Sequence, residues 1–299
     1  MTALQNPTGL RGRLLEDEPM ARHTSWRAGG PAERFYIPAD IDDLVAFLAR
    51  LSADEPIHWV GLGSNLLVRD RGVRGTVIAT GGALSGLSLL DPERIRAEAG
   101  VASAKVARFS VEHGLTGAEF LAGIPGTIGG ALAMNAGAFG GEFWSLVEAV
   151  EVVDRHGERR TRPASEYRVG YRSVEAPAQE WFLAAVLKLR QGELPNGKML
   201  IKSLLAKRGA TQPTQLPNAG SVFKNPPGDH AARLIEAAGL KGVCMGAACV
   251  SELHANFIVN TGGATAGEIE RLIEHVRATV ERRFGVRLEP EVRIIGEAA

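Results

Sequence analysis

Two short stretches of this sequence place glycines where a chain would need them to meet a phosphate or a flat ring. Gly61-Leu62-Gly63-Ser64-Asn65 directly follows an apolar run, Ile57 to Val60, that reads as a strand. Consecutive backbone N–H groups in such a turn can converge on a pyrophosphate. The second stretch, Gly123-Ile124-Pro125-Gly126-Thr127-Ile128-Gly129-Gly130-Ala131, runs on through Asn135-Ala136-Gly137-Ala138. Small residues at that density let main chain pass against a bulky, flat ligand such as a dinucleotide or flavin. Taken alone, the first stretch reads equally well as a tight turn between strands. Helix-to-sheet packing accounts for one or two glycines of the second, but not for two separate blocks in one chain. Neither is a Rossmann fingerprint, because Leu66 stands where a third glycine would and a strand follows; nor is there a P-loop Gly-Lys-Ser/Thr. Backbone donors, not a lysine, would therefore serve a phosphate-bearing cofactor.

Periodicity supplies the elements that must hold these stretches. Residues 33–37 read as a strand, and Asp40 caps a helix with Ile41, Leu44, Val45 and Leu48 on one face. With Ile57 to Val60 this makes a β-α-β unit ending in the glycine turn. Leu66-Leu67-Val68 and Thr76-Val77-Ile78 read as strands about a turn at 70–72, and 95–99 as another. A helix over 103–113 closes at Gly114. Residues 147–154 and 158–161 form a hairpin, 181–190 a strong strand, and polar 191–197 is the linker candidate. Asp229 is placed to cap a helix through Ala238, with Leu234 and Ile235 inward. Thr265 and Glu268 form a capping box for a helix with Ile269, Leu272, Ile273, Val276 and Val280 on one stripe, ended by Gly285. Val286, Leu288, Val292 and Ile294 then alternate with Arg287, Glu289, Glu291 and Arg293, as in a half-buried strand. The class is α+β, with mixed sheets in two or three domains.

Composition narrows the partners. The 34 Lys and Arg balance 34 Asp and Glu, so no general basic surface favours nucleic acid or an anionic membrane. The first twenty residues contain no apolar secretion core, and no apolar run approaches the ~18 residues of a membrane span. A cytosolic protein is expected. Cys244 and Cys249 cannot alone make a disulfide framework or a four-ligand zinc site, and among small apolar neighbours they are expected to be buried, unreactive thiols. With His254 they lack a fourth ligand, so no metal is expected.

His23-Thr24-Ser25-Trp26-Arg27-Ala28-Gly29-Gly30, the two glycine stretches, and Gly170-Tyr171-Arg172-Ser173 occur in order along the chain. Asn218-Ala219-Gly220-Ser221-Val222-Phe223-Lys224-Asn225-Pro226 and Leu288-Glu289-Pro290-Glu291-Val292 follow. This series resembles the UDP-N-acetylenolpyruvoylglucosamine reductase family over nearly the whole chain. The glycine loops are shared among flavoproteins; the serine and terminal glutamate motifs are specific. The resemblance implies an α+β chain with a two-subdomain FAD-binding fold of the vanillyl-alcohol-oxidase (PCMH) type and a C-terminal α+β substrate domain. The divisions it implies are 1–78 and 79–196 for the two FAD subdomains and 197–299 for the substrate domain. It further implies non-covalent FAD held by Gly61 to Asn65 and by Gly123 to Ala131 (Ile128 aside), NADPH as co-substrate, a UDP-sugar substrate, and a monomeric enzyme of cell-wall precursor synthesis.

Reducing an enolpyruvyl ether delivers hydride to its CH2 carbon and a proton to the neighbouring carbon, while negative charge builds on the carboxylate. That charge needs preorganised donors. By resemblance Arg172 stabilises it, Ser221 gives the proton and Glu291 shares it, while Tyr171, Lys224 and Asn225 face the substrate. Pattern alone does not choose between Glu289 and Glu291, which share a strand face. Val169 and Val174 stand where the family commonly has an aromatic residue and a hydroxyl or acid. The short interval from Arg172 to Ser221 resembles the subclass without a tyrosine-bearing loop. Two other readings stay open. One is a flavin oxidase of the same fold, although no His or Cys lies between His58 and Glu98 for the usual covalent link. The other is a nucleotide-binding regulatory module, which would purify colourless.

Overall fold

A computed structural model of the chain describes residues 9–177, 179–192 and 194–298; residues 1–8, where part of the search for a secretion signal fell, lie outside it. Packing divides the chain into two compact units. One holds the described residues up to Glu16, Arg34–Leu62 and Gly75–Lys207; the other holds Asp17–Glu33, Gly63–Arg74 and the chain from Arg208. The divisions expected at 78 and 196 are drawn along different lines, in sequence order.

A four-stranded sheet has the order Arg13–Pro19, Pro31–Ile37, Val73–Ala79, Ile57–Val60. The last two run parallel, pairing Ile57 with Thr76 and Val60 with Ala79. Helix α1 (Ile41–Leu48) starts where Asp40 accepts from the Asp43 N–H at 2.9 Å. It buries Leu44, Phe47 and Leu48 with Tyr36, Ile78, Val153 and Leu183. The Tyr36 hydroxyl donates to Asp43 at 2.5 Å. Burial pushes that hydroxyl's pKa up. Burial acts the same way on Asp43, but hydrogen bonds from Tyr36, Ala39 and Arg11 outweigh it and hold the carboxylate low. A second, fully antiparallel sheet runs Arg159–Pro163, Val147–Asp154, Glu180–Lys188, Arg94–Glu98, Leu87–Asp91. Helices α2 (Ser103–Glu112) and α3 (Ile128–Met134) share with this sheet a core of Val106, Leu121, Ile128, Leu132, Val150 and Leu187. Arg160 and Arg162 of this sheet pair with Glu180, and Arg159 with Asp42.

The linker expected over 191–197 does not exist as such. Arg190–Gln191 pairs with Leu115–Thr116, and helix α4 (Leu194–Thr211) begins at once. Gly197 is buried against Val111, where a Cβ would lie 2.7 Å from Cγ2. Gln191 lies in that strand pair and Asn196 on the exposed side of the helix.

In the second unit, helix α5 (Ala231–Ala237) and helix α6 (Ala266–Phe284) bury Leu234, Ile235, Ile269, Leu272, Ile273, Val276 and Val280 with Trp26, Leu67, Val222 and Phe223. The capping box at Thr265 and Glu268 forms as expected, and Gly285 closes α6 at φ 69°. Asp70 adds bonds from the N–H groups of Ala266 and Gly267. Acceptors at the first turn both satisfy orphan donors and complement the helix dipole. Leu66–Val68 pairs in parallel with Arg293–Ile295. Only this end of the strand expected over 286–294 is a strand. Pro290 lacks an N–H for a ladder and makes a single bridge to Phe223.

Two other expectations need correction. Cys244 and Cys249 are not buried thiols: they face each other across an antiparallel hairpin and are joined by a disulfide, with Cys244 exposed. Asp229 does not cap α5. Its carboxylate binds Arg233 and the His230 N–H, which hold its pKa down at about 2. Asn225 Oδ1 instead accepts from Ala231 N–H at 3.0 Å.

Candidate active site

The parallel strands Ile57–Val60 and Val73–Ala79 both end in glycine turns, Gly61 to Asn65 and Thr80-Gly81-Gly82. Ligands of open sheets with parallel strands gather at such carboxyl ends. The two turns touch: a Cβ on Gly81 would lie 2.6 Å from the Gly61 carbonyl. Gly61 is also closed off by the second glycine stretch, since its Cβ would lie 2.3 Å from Thr127 Oγ1. Gly63 takes φ 59°, with a Cβ position 2.0 Å from the His23 carbonyl. In the first unit the N–H groups of Leu62, Gly81 and Gly82 donate to no described acceptor, and in the second neither do those of Gly63 and Ser64. A run of unengaged amides after a strand suits an anionic, pyrophosphate-type group. Gly81 and Gly82 were missed in the sequence; the signal was a second glycine pair at the end of the neighbouring strand.

The second stretch plays a different part. Ile128 N–H donates to Val101 and Gly129 N–H to Ala99, at 2.9 and 2.8 Å, and Thr127 Oγ1 takes the Gly130 N–H at 3.4 Å. These α3 donors serve the protein itself, so the start of the helix supplies close approach and not phosphate donors. Gly130 is exposed, helical, and open: its Cβ position meets nothing nearer than Thr127 Oγ1 at 3.8 Å. Neither backbone conformation nor packing within the chain requires glycine there, although glycine weakens a helix by ~1 kcal/mol relative to alanine. A flat ligand lying against the start of α3 would explain it, and in this respect the residues present fit a flavin.

Helix α3 ends at Asn135, left-handed at φ 47°. Its side chain donates to Gly170 O and Glu142 Oε2 and accepts from Trp144 N–H. This residue ties the end of the glycine stretch to the hairpin Arg168–Gly170 and Ser173–Glu175, whose turn carries Tyr171 and Arg172. Arg172 itself sits at φ 51°, and its guanidinium donates to the carbonyls of Asn135 (3.3 Å) and Gly137 (3.0 Å). The Tyr171 ring lies 5.2 Å from its Cζ. Arg172 is therefore a positioned, half-buried cation.

The second unit assembles the serine and glutamate motifs. Val222 O accepts from Glu291 N–H at 2.7 Å, Lys224 N–H donates to Glu289 O, and Asn256 holds both polar groups of the Phe223 backbone. Ser221 thus adjoins a segment clamped on both sides, and its hydroxyl bonds to no described residue. Glu289 is exposed and paired to Lys224 Nζ at 2.6 Å, whereas Glu291 is half-buried, with its carbonyl bound by Asn65 Nδ2. Asn225, as the cap of α5, has its carbonyl oxygen engaged within the protein. In the last turn of α4, Arg208 is half-buried, bonded through Nε to neutral Gln212, and shifted down in pKa by burial; no described carboxylate pairs with it. It was missed in the sequence, where it follows Lys207 in a segment given no element of its own.

Comparisons with known proteins agree with these assignments of region. Residues 212–295 match the family model described as UDP-N-acetylenolpyruvoylglucosamine reductase, C-terminal domain, and residues 32–161 match an FAD binding domain. The UDP-N-acetylenolpyruvoylglucosamine reductase of Alkalilimnicola ehrlichii is 63% identical, with 96% of each chain covered. That of Methylococcus capsulatus is 61% identical, covering 96% of this chain and 95% of the relative. The crystal structure of the reductase from Thermus caldophilus superposes with a TM-score of 0.82 at 32% identity, covering 96% of this chain and 99% of that one.

Proposed function

This chain belongs to the UDP-N-acetylenolpyruvoylglucosamine reductase family, and from that membership we propose that it reduces UDP-N-acetylglucosamine enolpyruvate to UDP-N-acetylmuramate, with NADPH as reductant, in peptidoglycan precursor synthesis. The observation that carries this reading is identity above 60% over almost the whole of both chains, with an FAD binding domain at 32–161. When bound, FAD supplies the hydride for the substrate's CH2 carbon. The open amides of Leu62, Gly81 and Gly82 would hold its pyrophosphate, and the bare face at Gly130 would admit its bulk.

The chain's own residues then handle the charge and the proton. Arg172, oriented by two carbonyls, offers donors to the substrate carboxylate as negative charge builds there. Ser221 gives its hydroxyl proton to the carbon next to the carboxylate, and Glu291, whose N–H binds Val222 O, shares that proton. Lys224 and Tyr171 flank the substrate. Arg208, a desolvated cation without a carboxylate, suits the UDP diphosphate.

The test is an anaerobic spectrum of the purified protein, reduced with NADPH and then mixed with the enolpyruvyl substrate. The flavin band should bleach and return only with that substrate. Return with oxygen alone would keep the flavin and discard the substrate, as a flavin oxidase would require. A protein that cannot be loaded with flavin would overturn the whole reading.

A further inference from the structure

We propose that Cys244 and Cys249 form a reversible dithiol–disulfide site that sets how firmly the Ser221 segment is held. The two residues are directly opposite on strands Cys244–Met245 and Ala248–Val250, with Cα atoms 4.1 Å apart. Gly246, at φ 60°, and Ala247 make the turn between them. The hydrogen bond from Val250 N–H to Val243 O, 2.9 Å, closes the rung beyond. A pair flanked in this way is a non-hydrogen-bonded pair, where antiparallel strands bring side chains closest. The ladder keeps the two sulfurs facing each other, so opening the bond requires no rearrangement of the hairpin.

Two features separate this cross-link from a structural staple. It spans only five positions, and closing so short a loop restricts the unfolded chain least. Cys244 is exposed, so a thiolate can reach its sulfur. Proteins of reducing compartments use disulfides mostly as transient redox elements; that setting and the effect on flavin reoxidation rest on the function proposed above.

The bond also lies in line with the serine. Cys249 is opposite Val259, and Val259 bridges Asn218, three residues before Ser221. Asn260 N–H donates to Pro217 O at 2.9 Å, and Asn256, shortly before the same strand, binds Phe223 two residues after Ser221. Both flanks of Ser221 are therefore tied to the strand next to the one that carries Cys249.

The exchange balances with a dithiol as reductant. Its thiolate attacks Cys244 Sγ, the S–S bond breaks, and Cys249 leaves as a thiolate and takes up a proton. The second thiol of the reductant then displaces Cys244, so that the reductant departs as a cyclic disulfide and the protein gains two electrons and two protons.

Dithiothreitol treatment of the flavin-loaded native protein, followed by iodoacetamide and mass spectrometry, should add two alkyl groups, at Cys244 and Cys249. The untreated protein should take up none, oxidised dithiothreitol should reverse the reduction, and the circular dichroism should not change. Alkylation without reductant, or reduction only in denaturant, would overturn the site. In stopped flow, flavin reoxidation by substrate should differ about two- to thirty-fold between disulfide and dithiol forms, the range typical of coupling through packed elements. Flavin reduction should be equal in both, and Cys244→Ser/Cys249→Ser should respond to neither reagent. Equal reoxidation would remove the link to Ser221. Absence of substrate-driven reoxidation in both forms would count against the proposed function, and the alkylation result would still decide the redox site.

Discussion

The side-chain amide of Asn65 donates to the Glu291 carbonyl at 3.0 Å, across 226 positions of sequence, and Arg293 N–H returns a bond to the Asn65 carbonyl. The last residue of the first glycine stretch therefore fixes the backbone on which Glu291 is carried. In Asn65→Ala the Glu291 carbonyl loses its part-buried donor, a loss that costs about 1–3 kcal/mol. Stopped flow on that variant should show slower flavin reoxidation by substrate, with flavin reduction by NADPH less affected. Equal slowing of both half-reactions would make Asn65 a cofactor residue only.

Ser221→Ala should keep bound FAD and normal reduction by NADPH, and should lose ~10²–10³ in the rate of reoxidation, as expected for a transition-state donor. Arg172→Lys should show the same division. One ammonium cannot reach both the Asn135 and Gly137 carbonyls and still present a two-pronged face. Reoxidation at the parent rate in either variant would remove that residue from the chemistry.

Gly130→Ala separates packing from ligand approach. Nothing in the chain opposes the added methyl, and alanine favours the helix by ~1 kcal/mol, so the apoprotein should melt at the same or a higher temperature. FAD affinity, measured by titration of that apoprotein, should fall. Unchanged affinity would mean that no ligand passes over α3 at this position.

The elements legible in sequence were those whose ends carry their own chemistry. Asp40, the Thr265–Glu268 box and Gly285 bracket α1 and α6 at the expected residues. The failures came where long-range packing decides. Polar residues 191–197 looked like a spacer because the buried row of that helix, through Gly197 and Ile201, only begins at the end of this stretch. Asn225 replaced Asp229 as the cap of α5 because the loop folds back over six residues, which no local motif encodes. The cysteine pair was misjudged because five-residue spacing says nothing until the hairpin register is known. In the candidate site, the glycine stretches were visible by density. Their division of labour was not, because it depends on which N–H groups already have partners in Val101 and Ala99.

Arg208→Met keeps the bulk of the side chain in its half-buried place while removing the charge. Because burial alone lowers the guanidinium pKa and no described carboxylate compensates, the fold should lose little, and the readout is the substrate. KM for the UDP-sugar should rise about tenfold or more, with kcat changed far less, as a lost charge-assisted bond to a diphosphate predicts. A fall in kcat at constant KM would place Arg208 elsewhere.

His254 predicts how the second unit responds to acid. Burial holds its pKa below the ordinary value of 6.5, with Lys241 pushing the same way and Glu236 opposing. Its Nδ1 accepts from Asn256 N–H at 3.3 Å, a role open only to the neutral ring. A folded pKa below the unfolded one contributes stability that is complete above pH 6.5 and is lost as the pH falls through the folded value. The carboxylates of Asp43, Glu151 and Glu180 are held low by their partners, and Asp229 at about 2, so they titrate below this window. Melting temperature should therefore fall between pH 7.5 and 5.5, and His254→Asn, which keeps an acceptor near the same place without titrating, should fall less. Because Asn256 also holds the Phe223 backbone beside Ser221, flavin reoxidation should lose its acid sensitivity in the same variant. Parallel melting curves for the two proteins across that range would show that protonation of His254 does not act on the fold.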